Sequence, residues 1–234
     1  MLEVADIHSF YGEAHVLQGA SLSVGKSEVV ALLGRNGMGK TTLIRSIMGV
    51  SPPNVRSGSV SFKGESIRGL SPHLIARRGV GYVPQGRRLF ASLTVTEHLT
   101  VLKPASATHG WTVAKAFEFF PRLGERRHHR GNQLSGGERQ MLAVARALMI
   151  DPELILMDEP SEGLAPVMVQ HLEGIIQELK AAGLSILLVE QNLYSALAVA
   201  ERVYILETGR VVHEATAAEI GGDPETLTKF LGVH

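Results

Sequence analysis

The octapeptide Gly34–Thr41, GRNGMGKT, follows directly on the apolar run Glu28–Leu33 (EVVALL) and opens a stretch of helical spacing from Lys40 to Met48. No other feature constrains the fold as much. A short apolar run ending at a glycine suits a strand buried on both faces, and such strands belong to parallel sheets covered by helices. The pattern G-x-x-x-x-G-K-[ST] between a strand and a helix is a phosphate-binding loop. Its glycines let backbone N–H groups wrap phosphate oxygens, and the helix N-terminus adds its positive end. Gly34, Asn36, Gly37 and Gly39 are candidate cradle residues. Lys40 would reach the β- and γ-phosphates, Thr41 would ligate Mg²⁺, and Thr42 would donate to the α-phosphate.

The remaining elements alternate in the same sense. Ser59–Phe62, Val80–Val83, Leu154–Met157 and Ser185–Val189 read as strands. Pro166 opens a long helix that Gly183 ends, which is the usual placement of those two residues. Arg202–Glu207 and Arg210–Glu214 flank Thr208-Gly209 as a hairpin, and Pro224–Leu231 reads as a short closing helix. Between about Gly86 and Gly131 no strand pattern appears. Thr94-x-x-Glu97 is a capping box, Thr112–Phe120 is a helix stopped by Pro121, and Ser135-x-x-Glu138 caps a further helix running to about Met149. The expected architecture is an α/β sheet with helices on both faces and a helical insertion.

Two further segments carry chemistry. Leu154–Glu159 reads LILMDE, which places Asp158 and Glu159 at the carboxyl end of a buried strand, where α/β sheets bind ligands. With a phosphate loop upstream, Asp158 is a Mg²⁺ ligand and Glu159 a general base for water; without it, Asp158-Glu159-Pro160 would be only a polar turn. Leu134–Glu138 reads LSGGE, and the amides of Ser135, Gly136 and Gly137 at a helix start form a second anion site or a plain glycine-rich cap.

Taken together and in order, GRNGMGKTT, Gln85, LSGGE, LILMDE and SEGLAP resemble the motif set of ATP-binding cassette subunits, over the whole chain. The resemblance implies a P-loop NTPase core of the cassette type in residues 1–234, with an N-terminal antiparallel β portion and a helical subdomain inserted at about 87–140. It also implies that Tyr11 stacks on adenine, that Gln85 contacts Mg²⁺ and water, and that Ser161–Ala165 crosses a dimer interface. Two subunits would pack head to tail, homomeric or heteromeric, with ATP between the loop of one and Ser135–Gly137 of the other. VPQGRRLF, FPRLGERR, QMLAVARALM, DEPSEGLAP and LLVEQN narrow the resemblance to the LivF-type cassette of branched-chain amino-acid importers. The partners implied are two transmembrane permease subunits and, indirectly, an extracytoplasmic solute-binding protein. A urea or amide import cassette, a lipopolysaccharide-extraction cassette, and a soluble cassette ATPase of the iron–sulfur assembly type are the alternatives.

Two positions depart from the general cassette pattern. Gln191 stands where most cassettes carry a histidine on the γ-phosphate, and Ala165 where many carry an aspartate. Gln191 donates a hydrogen bond but cannot become a cation. Composition restricts the rest. With 23 Lys plus Arg against 23 Asp plus Glu, the chain lacks the basic excess of a nucleic-acid binder. The absence of cysteine excludes disulfides and thiolate chemistry. There is no signal-peptide pattern at the N-terminus and no run long enough to span a bilayer, so the expected location is cytoplasmic, peripheral on the membrane through the permeases. Glu125–Arg130 (ERRHHR) and Arg87-Arg88 read as solvated surface or partner contacts.

Overall fold

The computed structural model describes residues 1–104 and 108–222. Two sheets share the chain. The strands β1 (Leu2–Tyr11), β2 (Ala14–Val24), β4 (Asn54–Phe62) and β5 (Glu65–Ser66) form an antiparallel sheet in the order β2-β1-β4-β5. The second sheet, in the order β10-β9-β3-β8-β7-β6, contains β3 (Val29–Leu33), β6 (Val80–Val83), β7 (Leu154–Asp158), β8 (Ser185–Glu190), β9 (Arg202–Glu207) and β10 (Arg210–Thr216). Its pairs are parallel except β9–β10.

The helices are α1 (Lys40–Ile47), α2 (Pro72–Arg77), α3 (Val95–Thr100), α4 (Val113–Phe119), α5 (Pro121–Glu125), α6 (Gly136–Leu148), α7 (Pro166–Ala181), α8 (Leu193–Val199) and α9 (Ala217–Gly221). The apolar runs of the parallel strands are continuous because both faces are covered. On one face Val30, Leu32, Leu154, Leu156 and Leu187 pack with Leu43, Ile44 and Ile47 of α1 and with the antiparallel sheet. On the other, Val29, Ala31, Ile155, Ile186 and Leu188 pack with α6, α7 and α8. At roughly 25 cal/mol per Å² of buried apolar surface, these two layers are the main stabilising term.

Both capping boxes form. Thr94 and Ser135 each accept the backbone N–H three residues on, and Glu97 and Glu138 return the bond to the cap amide. Each such cap satisfies two otherwise orphaned donors, worth about 1 kcal/mol. Between β6 and β7 the described residues form helices and one isolated bridge, Thr94 to Arg130.

Three readings change in detail. Glu28 is not in the strand: its carboxylate turns aside to Arg202, with oxygen–nitrogen distances of 2.9 and 3.0 Å. Pro121 ends α4 and also starts α5, since its fixed φ and missing N–H suit a first turn. Residues 193–199, left without an element in the sequence, form α8 under an Asn192 cap. Pro224–Leu231 lies outside the described residues.

The β9–β10 turn braces the phosphate loop. Gly209 donates its N–H to the carbonyl of Met38 at 3.0 Å and accepts that of Gln18 at 2.9 Å. Gly209 has φ +76, and a Cβ there would sit 1.9 Å from the Val16 carbonyl oxygen. Gly209→Ala is expected to cost about 3 kcal/mol, or roughly 6–12 °C in melting temperature at this size. Gly64, with φ +81 and open space around it, isolates the backbone strain from the clash. Thermal denaturation should show a clearly larger loss for Gly209→Ala than for Gly64→Ala; equal losses would refute the bracing.

Candidate nucleotide site

The carboxyl ends of β3, β7 and β8 lie side by side, since β8 pairs with both others. The phosphate loop leaves β3 there. Gly34 passes so close to β9 that a Cβ would stand 2.4 Å from the Leu206 carbonyl oxygen, which leaves room only for glycine. The loop then feeds α1, whose first residue is Lys40.

Lys40 is 4% exposed. Its ammonium donates to the carbonyls of Gly34 at 2.8 Å and Arg35 at 3.2 Å, and it lies 3.1 Å from Glu159 Oε1. The other oxygen, Oε2, accepts from Gln85 Nε2 at 3.2 Å. Glu159 adopts φ +47, a strained conformation for a non-glycine residue, and its N–H is held by the Val189 carbonyl at 2.9 Å. Thr41 Oγ1 donates to Asp158 Oδ1 at 3.1 Å. Burial, with the Glu159 charge adding to it, pushes the Asp158 carboxyl up to about 6 against the pull of Thr41, Lys40 and Arg45.

A cavity of about 370 Å³ joins Lys40, Thr41, Gln85 and Glu159, while Gly34 and Asp158 lie behind its lining. Asn36, Gly37, Gly39, Lys40, Thr41, Thr42, Gln85 and Glu159 all line it, so most of the residues expected to hold nucleotide share one space. Glu162, which the sequence did not single out, lines it too and accepts a second bond from Gln85 Nε2 at 3.0 Å. The sequence signal for it was only its place inside SEGLAP. A larger hollow of about 500 Å³, lined by Arg45, Asn54 and Arg68, lies away from the carboxylates.

The other expected residues stand apart. Tyr11 is half-buried at the end of β1, opposite Ala14, and does not line the cavity. Ser135, Gly136 and Gly137 sit at the start of α6, beside Arg87 and Met168 and off the cavity. Gln191 is exposed and lines an adjoining hollow of about 290 Å³ with Glu159, Ser161 and Glu190. A divalent cation fits the donor set of Thr41, Asp158 and Gln85. Asp158 Oδ2 is buried with only the Tyr82 hydroxyl near it among the described residues, and a buried anionic oxygen is costly unless something neutralises it. Among the described residues no histidine–carboxylate cluster offers another metal site, and no helix is long and apolar enough to cross a membrane.

The ABC transporter family profile matches residues 17–162, well over half of the chain. The chain belongs to that family. This ABC protein is 42% identical, over 99% of its length and all of the relative's, to the high-affinity branched-chain amino acid transport ATP-binding protein BraG of Pseudomonas aeruginosa. It is 36% identical to a probable branched-chain amino acid transport ATP-binding protein, LivF, of Archaeoglobus fulgidus, covering 94% of each chain. Escherichia coli LptB, a lipopolysaccharide export system ATP-binding protein, is 34% identical over 99% of this chain and 97% of its own. The crystal structure of a nucleotide-free ATP-binding cassette from an ABC transporter superposes with a TM-score of 0.85 at 27% identity, covering 100% and 99% of the two chains. The ABC protein described here is thus an ATPase coupled to transport, on a P-loop NTPase fold.

Proposed function

We propose that this ABC ATPase powers the import of branched-chain amino acids. The observation that carries the chemistry is the convergence of Lys40, Thr41, Gln85 and Glu159 on one cavity. In this reading the loop amides and Lys40 hold the triphosphate of ATP, and Tyr11 stacks on the adenine. Thr41, Asp158 and Gln85 hold Mg²⁺, which when bound neutralises phosphate charge. Glu159, 3.1 Å from Lys40 and bonded to Gln85, takes the proton of the attacking water. Gln191 donates to the γ-phosphate from the adjoining hollow.

Ser135, Gly136 and Gly137 lie off the chain's own cavity, which suits a role toward nucleotide held by a second cassette. The helical subdomain at about 87–140 then moves as that dimer closes, and the motion drives two permease subunits fed by an extracytoplasmic binding protein. The protein works on the cytoplasmic face of the membrane.

BraG and LivF support the branched-chain reading, whereas LptB supports lipopolysaccharide export. A urea importer and a soluble assembly ATPase are the remaining alternatives. Reconstitution with branched-chain permease and binding-protein subunits tests the proposal. ATP-dependent leucine uptake that fails with Lys40→Ala is the expected result; no uptake, or association only with export subunits, would sink it. Because Gln191 cannot become a cation and Ala165 replaces an acid, this site is expected to turn over more slowly than that of a histidine-bearing partner cassette. Single-turnover hydrolysis, with Glu159→Gln here and the equivalent change in the partner, reads this directly. Equal losses would contradict the asymmetry.

A further inference from the structure

Glu190 is the last residue of β8 and is 3% exposed. It shares the strand face of Ile186 and Leu188, which pack with α7 and α8. Among the described residues it has no ion-pair partner. Instead its two oxygens are divided between two loops. Oε1 accepts the backbone N–H of Ser161 at 3.0 Å, and Oε2 accepts that of Gln191 at 3.2 Å. Burial pushes the Glu190 carboxyl up, and hydrogen bonds from Ser161, Gln191 and Asn192 pull it back.

The surroundings give that bridge a consequence. The N–H of Glu159 is held by the carbonyl of Val189, the neighbour of Glu190. The end of β8 therefore grips the Glu159–Ser161 segment at two points and Gln191 at a third. Asn192, the next residue, caps α8 through Ser195, so the backbone at Gln191 is held from both sides and its exposed side chain projects from that fixed point. The hollow of about 290 Å³ that Gln191 lines is also lined by Glu159, Ser161 and Glu190. A carboxylate is suited to this place because both its oxygens accept. A glutamine would accept with one atom and turn an N–H₂ toward the other amide. A buried carboxylate without a cation is costly, so its presence here calls for a role that an apolar side chain would not fill.

We propose that Glu190 is a positioning residue for ATP hydrolysis: its carboxylate locks Gln191 and the start of the Ser161–Ala165 loop into one unit beside Glu159. This rests on the reading that the neighbouring cavity hydrolyses ATP.

The test uses the full-length chain and measures kcat, KM for ATP and Tm. The variants are Glu190→Gln, Gln191→Ala, the two combined, and Glu159→Gln as reference. Displacing a reacting geometry by about an ångström costs roughly ten- to a hundredfold. Glu190→Gln is expected to lower kcat by about tenfold or more while KM stays within about twofold. Gln191→Ala should show a similar loss, and the double variant should be no slower than Gln191→Ala alone, because residues acting through one another are not additive. Losses that multiply in the double variant would mark Glu190 as merely structural and overturn the proposal. So would an unchanged kcat in either single variant. Should Glu190→Gln fail to fold, Glu190→Asp keeps both oxygens but withdraws them; a wild-type kcat there would also overturn it. If Glu159→Gln hydrolyses ATP within about tenfold of wild type, short of the loss expected of a general base, the reading of the site fails. If Glu159→Gln is inactive and Glu190→Gln is not impaired, only this inference fails.

Discussion

Glu159→Gln is expected to leave ATP binding within a few-fold of wild type and to lower phosphate release by roughly 10²–10⁴-fold. The amide has the same shape as the carboxylate and still offers Lys40 or Gln85 an oxygen. Lys40 also keeps its bonds to the carbonyls of Gly34 and Arg35, so the phosphate cradle survives the change. What disappears is the capacity to accept a proton. Nucleotide titration and phosphate release, measured on the same preparation, separate binding from chemistry. Hydrolysis within tenfold of wild type would show that Glu159 is not the base.

Lys40→Ala is expected to fail at the earlier step. Lys40 is the buried cation that lines the cavity, and its loss removes a charge-assisted contact to the triphosphate. Truncating one side of such a buried pair costs about 2–5 kcal/mol of binding, or roughly 30- to 4,000-fold in Kd. The nucleotide-free protein suffers as well, because Glu159, with its side chain only 9% exposed, loses its counter-charge. Leaving a buried charge unpaired costs about 3–5 kcal/mol of stability. The two effects separate in the double variant. Adding Glu159→Gln to Lys40→Ala should restore much of the melting temperature without restoring affinity. Wild-type affinity in Lys40→Ala, measured by titration calorimetry, would remove the loop from the site.

The two variants probe one ion pair that no local pattern in the chain announces. The phosphate loop, the two capping boxes and the buried strands were legible because each depends on residues a few positions apart. A capping box needs only residues three apart, and Ser135 with Glu138 forms the bonds that spacing predicts. The apolar run before Gly34 likewise announces a strand covered on both faces, and all five residues of β3 are buried. Short helices were harder. The segment α5 hides behind Pro121 because one proline can end a helix and begin another.

The site itself was legible as separate pieces. Gln85 and Glu159 are 74 positions apart, and Thr41 and Asp158 are 117 apart. Resemblance assigned them roles, but no local pattern states that Gln85 bonds Glu159 and Glu162 together, or that Glu190 holds Ser161 and Gln191. Nor does the sequence show that the turn at Gly209 braces Met38 in the phosphate loop. Those pairings follow from strand order, which sets β8 between β3 and β7.

The sequence alone determined the strand, the phosphate loop, the helix that follows it and the caps, because their energetics lie in torsions and in hydrogen bonds between near neighbours. Only the tertiary structure decided which carboxylate faces Lys40 and that Glu162 enters the cavity. The physical reason is that these contacts join distant segments. They exist only once burial of the two apolar layers has fixed the order and register of the sheet.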